Sequence, residues 1–154
     1  MRVQFTIPGE PKGKQRPRVV TRGGFSKAYT PEQTLTYENM VRWCYKEQSG
    51  EMFDGELAVG IEAVFQIPKS VSKKKRQQML DKEIRPTKKP DADNIAKIIC
   101  DALNGIAYHD DSAVVDLRVR KYWGDVPGVT VTIMDAPNEA IPFIPDGLGG
   151  FYGE

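Results

Sequence analysis

The chain has 154 residues, 40% hydrophobic and 28% charged, with a formal net charge of +1. That is enough apolar material for one core, too little chain for two ordinary domains, and the wrong balance for a wholly disordered protein. No apolar run approaches the roughly 18–20 residues of a membrane span, and two cysteines with a single histidine exclude a disulfide framework and a multi-histidine zinc site.

Residues 2–8 alternate, with Val3, Phe5 and Ile7 on one face, and predict a strand rather than a signal peptide. A reducing cytoplasm is the expected location. Gly9 to Ala28 is rich in Gly, Pro, Lys and Arg and predicts a long loop or loose hairpin with too few apolar residues to bury itself. Thr30-Pro31-Glu32 reads as a helix start: a capping hydroxyl, a proline at the first helical position and an acid in the first turn. Tyr37, Met40, Val41, Cys44 and Tyr45 follow at helical spacing, and Gly50 ends the segment. Strict alternation of Leu57, Val59, Ile61, Ala63, Phe65 and Ile67 predicts a strand over 56–67, stopped by Pro68.

Ser70 is placed to cap a basic, solvated helix over about 71–83. Arg85 to Pro90 reads as a linker, with Pro90 holding Lys89 away from helix. Ile95, Ile98, Ile99, Ala102 and Leu103 form an apolar stripe that predicts a helix over 92–104, with Gly105 where a C-terminal cap belongs. Val115, Leu117 and Val119 alternate with Asp116, Arg118 and Arg120, predicting a strand with one buried face; a turn over 124–128 and a strand over 129–134 complete the pattern. The order predicts an α+β domain over 1–134, a small mixed sheet of about four strands with helices mainly on one face. The Pro- and Gly-rich residues 135–154 read as a separate tail, either a free end or an arm packed on a neighbour.

The small net charge conceals a segregation. Six bases against Glu10 alone give residues 10–29 a charge of +5, and nine bases against Asp81 and Glu83 give residues 69–89 a charge of +7, leaving −11 for the rest. Charge divided this way concerns partners rather than fold. Lys12, Lys14, Arg16, Arg18 and Arg22 in the first segment, and Lys73, Lys74, Lys75 and Arg76 in the second, are candidate contacts to a polyanion backbone.

The acids are most informative over 89–111. Asp93, Lys97 and Asp101 are four apart and share a helix face. Asp91 joins that group only if it lies before the first turn, and Asp110 and Asp111 return on the turn after the helix. Facing carboxylates about 4 Å apart repel by roughly 4 kcal/mol at an effective dielectric near 20, so such a group calls for a cation. Oxygen ligands suit a hard ion such as Mg²⁺, which beside a phosphodiester supports hydrolysis, with Lys97 as phosphate contact. The plainer readings stay open beside this one: Asp91 or Asp93 as a helix cap, Asp93–Lys97 as an ordinary surface pair, Asp101 as surface, the lysine run as a solvated face, and His109 as turn polarity.

The pattern Pro90-Asp91-x-Asp93-Asn94-x-x-Lys97-x-x-x-Asp101-Ala102-Leu103-Asn104-Gly105, then Asp110-Asp111-x-x-Val114, resembles the signature of RusA-type Holliday junction resolvases. Pro11-Lys12-Gly13, Arg16-Pro17-Arg18 and Tyr29-Thr30-Pro31 extend the resemblance upstream, over about residues 2–134. It implies a RusA-like fold and a Mg²⁺-dependent homodimeric endodeoxyribonuclease, with Mn²⁺ as a substitute metal, that nicks four-way DNA junctions symmetrically in recombination and repair. By position it implies Asp91, Asp93 and Asp111 as metal ligands, Asp110 as an assisting acid and Lys97 as the essential lysine, with a less defined role for Asp101. Members of this family are often encoded by phages or prophages. Two alternatives remain: a non-catalytic branched-DNA-binding protein, and a nuclease of flaps or single strands.

Overall fold

The computed structural model of the chain describes residues 1–137; the tail expected from 135 onward lies, from residue 138, outside the described residues. Its strands and helices are β1 (Arg2–Pro8), β2 (Arg18–Arg22), β3 (Phe25–Tyr29), α1 (Glu32–Gln48), β4 (Leu57–Gln66), α2 (Lys73–Leu80), α3 (Ala92–Ala102), β5 (Val114–Gly124) and β6 (Gly128–Asp135), with a 3₁₀ turn at Asp111–Ala113. β1, β6, β4 and β5 form one mixed sheet in that order, and β2 and β3 a separate hairpin. Among the described residues, no helix is long and apolar enough to cross a membrane.

The alternation read from the sequence sets the faces of the sheet. Phe5 stands opposite Val131, Val131 opposite Ile61 and Ile61 opposite Val119. The intervening row is Gln4, Thr132, Gly60 and Arg118. The apolar face is covered by α1, through Tyr37, Val41, Cys44 and Tyr45, and by α3, through Ile95, Ile98, Ile99 and Ala102. Helices on one face of a four-stranded mixed sheet are the α+β arrangement expected. Fully burying an isoleucine contributes about 1.5–3 kcal/mol, so the α3 stripe outweighs any surface pair on that helix. β4 pairs antiparallel with β6 and parallel with β5, and a parallel neighbour requires a crossover, here the stretch containing α2 and α3. That crossover carries α3 and its acids.

The basic segment after β1 is the unburied hairpin expected, with β2 and β3 exposed throughout. Several other local expectations change. α1 begins at Glu32, because Pro31 is extended (φ −56°, ψ 144°) and no side chain caps the helix; Thr30 does not perform that role. α2 is shorter than expected and is capped by Ser72, whose hydroxyl accepts from the Lys75 amide at 3.2 Å, in place of Ser70. α3 ends at Ala102, and Gly105 beyond it takes φ 73°. Val115 and Leu117 are 60% and 45% exposed rather than buried. β5 is an edge strand paired on one side only, and its register shifts opposite Leu57 and Ala58. At the other end of the fold Asp135 is still in β6, paired with the Met1 ammonium at 2.7 Å.

Candidate active site

Asp91 occupies the N-cap of α3 in an extended conformation (φ −68°, ψ 154°), yet its carboxylate makes no capping bond. An N-cap aspartate ordinarily accepts from an amide of the first turn. Here the plainer reading fails, and the exposed carboxylate remains available beside Asp93, which is exposed in the first turn. The positive end of the helix dipole favours both charges.

The entry of α3 is strapped by residues 11–15. The Lys14 amide donates to the Asn94 carbonyl at 3.0 Å. A Cβ on Gly13 would stand 2.8 Å from the Pro90 Cβ and 3.1 Å from the Asn94 Cβ, so a glycine is required for the strap to lie flat. A cleft of ≈ 600 Å³ results, lined on its charged side by Glu10, Lys12, Lys14, Lys88, Lys89 and Asp91. Lys121 lies alongside: its ammonium donates to the Lys88 carbonyl at 2.7 Å and stands 5.1 Å from the Phe65 ring. Burial pushes the Lys121 pKa down, the Lys88 charge pushes the same way, and the Asp91 charge opposes them. Lys88, Lys89 and Lys121 were not singled out by sequence reasoning. The position of Lys88 and Lys89 directly before Pro90-Asp91 was an available signal for the first two, whereas Lys121 is brought in only by the sheet.

At the exit of α3 Lys14 is committed to Glu38 and Asp101, and Lys97 is loosely paired. Lys14 Nζ is 2.9 Å from Glu38 Oε1 and 3.3 Å from Asp101 Oδ2, and Lys97 Nζ is 4.0 Å from the same Asp101 oxygen. Burial lowers the Lys14 pKa, but its hydrogen bonds and the charges of Glu38 and Asp101 outweigh burial and raise it overall. Leu103 to Tyr108 then form a tight turn. The Ile106 and Ala107 amides both donate to the Leu103 carbonyl at 3.0 Å, and the Tyr108 hydroxyl donates to the Cys100 carbonyl at 2.7 Å. This turn returns Asp110 and Asp111 to the end of the helix. Burial, the charge of Asp110 and a hydrogen bond with Asp101 raise the Asp111 pKa, whereas hydrogen bonds from Ser112 lower that of Asp110. Adjacent acids with pKa values pushed apart are a functional-site pattern. His109 is exposed in this turn.

Helix geometry separates the two ends. Ten residues at 1.5 Å rise put Asp91 about 15 Å from Asp101, and so from Asp111 beside it. Among the described residues, no group of three or more His, Cys, Asp or Glu could hold a metal ion. The four acids expected to converge are therefore divided within one chain, Asp91 and Asp93 at the entry and Asp110 and Asp111 at the exit. Lys97 turns toward the exit rather than pairing with Asp93. An oxygen-only donor set suits a hard divalent ion, and such ions are commonly held by one or two carboxylates plus water and phosphate oxygens. The residues fit Mg²⁺ in kind, while the full set fits only if a second chain contributes.

Of the candidate backbone contacts, Lys12, Arg16, Arg18 and Arg22 are exposed, as are Lys73, Lys74 and Lys75. Arg76 is paired with Asp125. Lys14 is placed differently from the others, inside the fold between α1 and α3.

Residues 8–134 match the family model Endodeoxyribonuclease RusA, from the end of β1 to β6. The chain belongs to the RusA endodeoxyribonuclease family. It is also similar to the "Uncharacterized protein YqaN" of Bacillus subtilis (strain 168), 36% identical over 136 residues, which cover 86% of this chain and 96% of that protein. Membership in the RusA family makes this chain a DNA-binding endonuclease, a hydrolase of the recombination machinery whose substrate is branched DNA.

Proposed function

We propose that this RusA-family chain is a Mg²⁺-dependent, structure-selective endonuclease that resolves four-way DNA junctions by paired symmetric nicks and works as a homodimer in the cytoplasm. The observation that carries this reading is the Asp91 carboxylate, left unspent at the α3 N-cap beside a lysine-lined cleft. Asp91 and Asp93 of one protomer hold the ion, Asp111 of the other protomer completes the ligand set and Asp110 assists. The division of these acids between the two ends of α3 supports a site completed across a dimer, as does the exposure of Val115 and Leu117 on the edge strand that follows Asp110 and Asp111. A two-fold assembly also matches a substrate with two equivalent strands.

Bound Mg²⁺ would polarise the phosphodiester and lower the pKa of the attacking water. The chain's own residues do the rest. Lys97, 62% exposed and only loosely held by Asp101, is free to swing onto the scissile phosphate. Lys12, Lys88 and Lys89 flank the cleft and offset the repulsion between phosphate and the acids. Lys73, Lys74 and Lys75 extend the basic track.

The test compares nicking of four-way junction, flap, linear duplex and single strand, each with and without Mg²⁺, by wild type and Asp93→Asn. Junction-selective, Mg²⁺-dependent nicking that is lost in the variant, with junction binding retained, is the expected result. Binding without nicking by wild type would indicate a non-catalytic DNA-binding protein. Equal nicking of all four substrates would remove junction selectivity.

A further inference from the structure

The hairpin β2–β3 is two-faced, and only one of its faces suits nucleic acid. Its register places Arg18 opposite Tyr29, Val20 opposite Lys27 and Arg22 opposite Phe25, so these six side chains share one face. The other face is formed by Val19, Ala28, Thr21 and Ser26, and the Thr21 and Ser26 hydroxyls meet there at 3.3 Å. Every cation of the hairpin thus lies with both of its aromatic rings, and a shallow groove runs between them, lined by Val20, Arg22, Phe25, Lys27 and Tyr29. Gly23 and Gly24, both at positive φ, make the tight turn that holds the strands in this register. Phe25 stands immediately after that turn and is 83% exposed, the most exposed large apolar residue described.

Single exposed apolar residues are ordinary. A face of cations interleaved with rings, in a stretch from Pro11 to Pro31 without one acid, is not. Its chemistry answers a polyanion that also presents flat apolar surfaces. Phosphates pair with arginine and lysine, and unstacked bases cover aromatic rings. A continuous duplex hides its base faces, whereas an open branch point interrupts the stack and exposes the faces of the base pairs that flank it. A two-stranded ribbon is also of a size to enter a groove.

We infer that the Arg18–Val20–Arg22–Phe25–Lys27–Tyr29 face of the hairpin is the element that discriminates branched from linear DNA, with Phe25 stacking on a base face exposed at the branch point while Arg18, Arg22 and Lys27 hold the flanking phosphates. This rests on the proposed reading of the chain as a junction nuclease, and assigns its substrate discrimination to a surface away from the acids.

The experiment uses the full chain and DNA carrying 2-aminopurine, in a four-way junction at the branch and in a gapped duplex within the gap. Wild type is expected to change the probe's fluorescence on binding both. Phe25→Ala is expected to lose that change and to bind the junction about tenfold more weakly, in the range of lost base–aromatic stacking, with linear-duplex affinity unchanged. Phe25→Trp is expected to restore both, and Arg22→Ala to weaken junction and duplex alike with a shallower salt dependence. Unchanged fluorescence response and junction affinity in Phe25→Ala overturns the inference. So does conversion of Phe25→Ala to monomer in sedimentation, which would make this face a contact between copies. If wild type neither prefers nor cuts the junction yet gives a Phe25-dependent signal on the gapped duplex, the junction reading fails while the stacking role stands.

Discussion

The two ends of α3 carry acids of the same kind in opposite circumstances. At its entry Asp91 is the N-cap residue, and its carboxylate is spent on no capping bond; at its exit Asp101 is held between Lys14 and Lys97, with Asp111 hydrogen-bonded to it. The first end is open toward a basic cleft, and the second is internally compensated. A carboxylate with partners stabilises a fold, and one that declines an available partner is held ready for something the chain does not itself contain. The contrast separates acids whose loss should affect chemistry alone from acids whose loss should also affect stability.

The largest expected effect is at the entry. Asp91→Asn should lower junction cleavage by about 10³-fold, the scale of losing one preorganised electrostatic contact to the transition state. Its melting temperature should stay within about 2 °C of wild type, because no cap is lost. A marked loss of stability in a calorimetric scan would show Asp91 to be structural and remove the contrast.

Lys14→Met addresses the other side. Among the described residues it leaves Glu38, 4% exposed, with only the Arg42 guanidinium at 3.9 Å. Lys14 is itself only half-buried, so removing it costs less than breaking a fully buried pair, about 1–3 kcal/mol, and melting should fall by roughly 2–12 °C. The Lys14 pKa is raised in the fold above its ordinary 10.5. Its pairing therefore contributes fully below about pH 10.5 and is lost as pH rises through the folded value. Wild type should show this alkaline loss of stability in a pH-resolved melt, and Lys14→Met should lack it.

Gly13→Ala tests the strap that joins the two ends. The added methyl would crowd Pro90 and Asn94, at about 1–3 kcal/mol for overpacking, and should lower melting by a few °C. Cleavage should fall more than junction binding, because the entry of α3 is displaced and the hairpin is not. Equal losses in filter-binding and cleavage assays would place the strap in DNA binding instead.

The smallest effect on stability at the exit carries the most information. Burial, Asp110 and Asp101 all oppose the charge on Asp111. Asp111→Asn should therefore raise the metal-free melting temperature by about 1–3 °C while abolishing cleavage. Mixing it with Asp91→Asn should regain part of the activity if each site draws on two chains, since some mixed dimers then hold one intact site. No regain, with both variants folded and dimeric by sedimentation, would confine each site to one chain.

Much of this was legible along the sequence. The alternation in β4 and the isoleucine stripe of α3 are set by local sterics and by apolar period, which a short window contains. α2 was displaced because Ser70 and Ser72 are both competent caps, and the choice between them depends on where Met79 finds burial. Val115 and Leu117 have the alternation of a buried strand but stand at the edge of the sheet, a position no window reveals. Lys14 belongs to a run of bases in sequence and to a half-buried ion cluster in space, its partners Glu38 and Asp101 lying far along the chain.

The amino-acid order by itself determined the elements, the segregation of charge and the kind of chemistry the acids near α3 support, because each depends on residue type and short spacing. Tertiary structure decided which charges are already satisfied, which ends of α3 the acids occupy and which side chains the hairpin presents together. Those depend on contacts between residues far apart in the chain, and pairing energy is determined by distance in space.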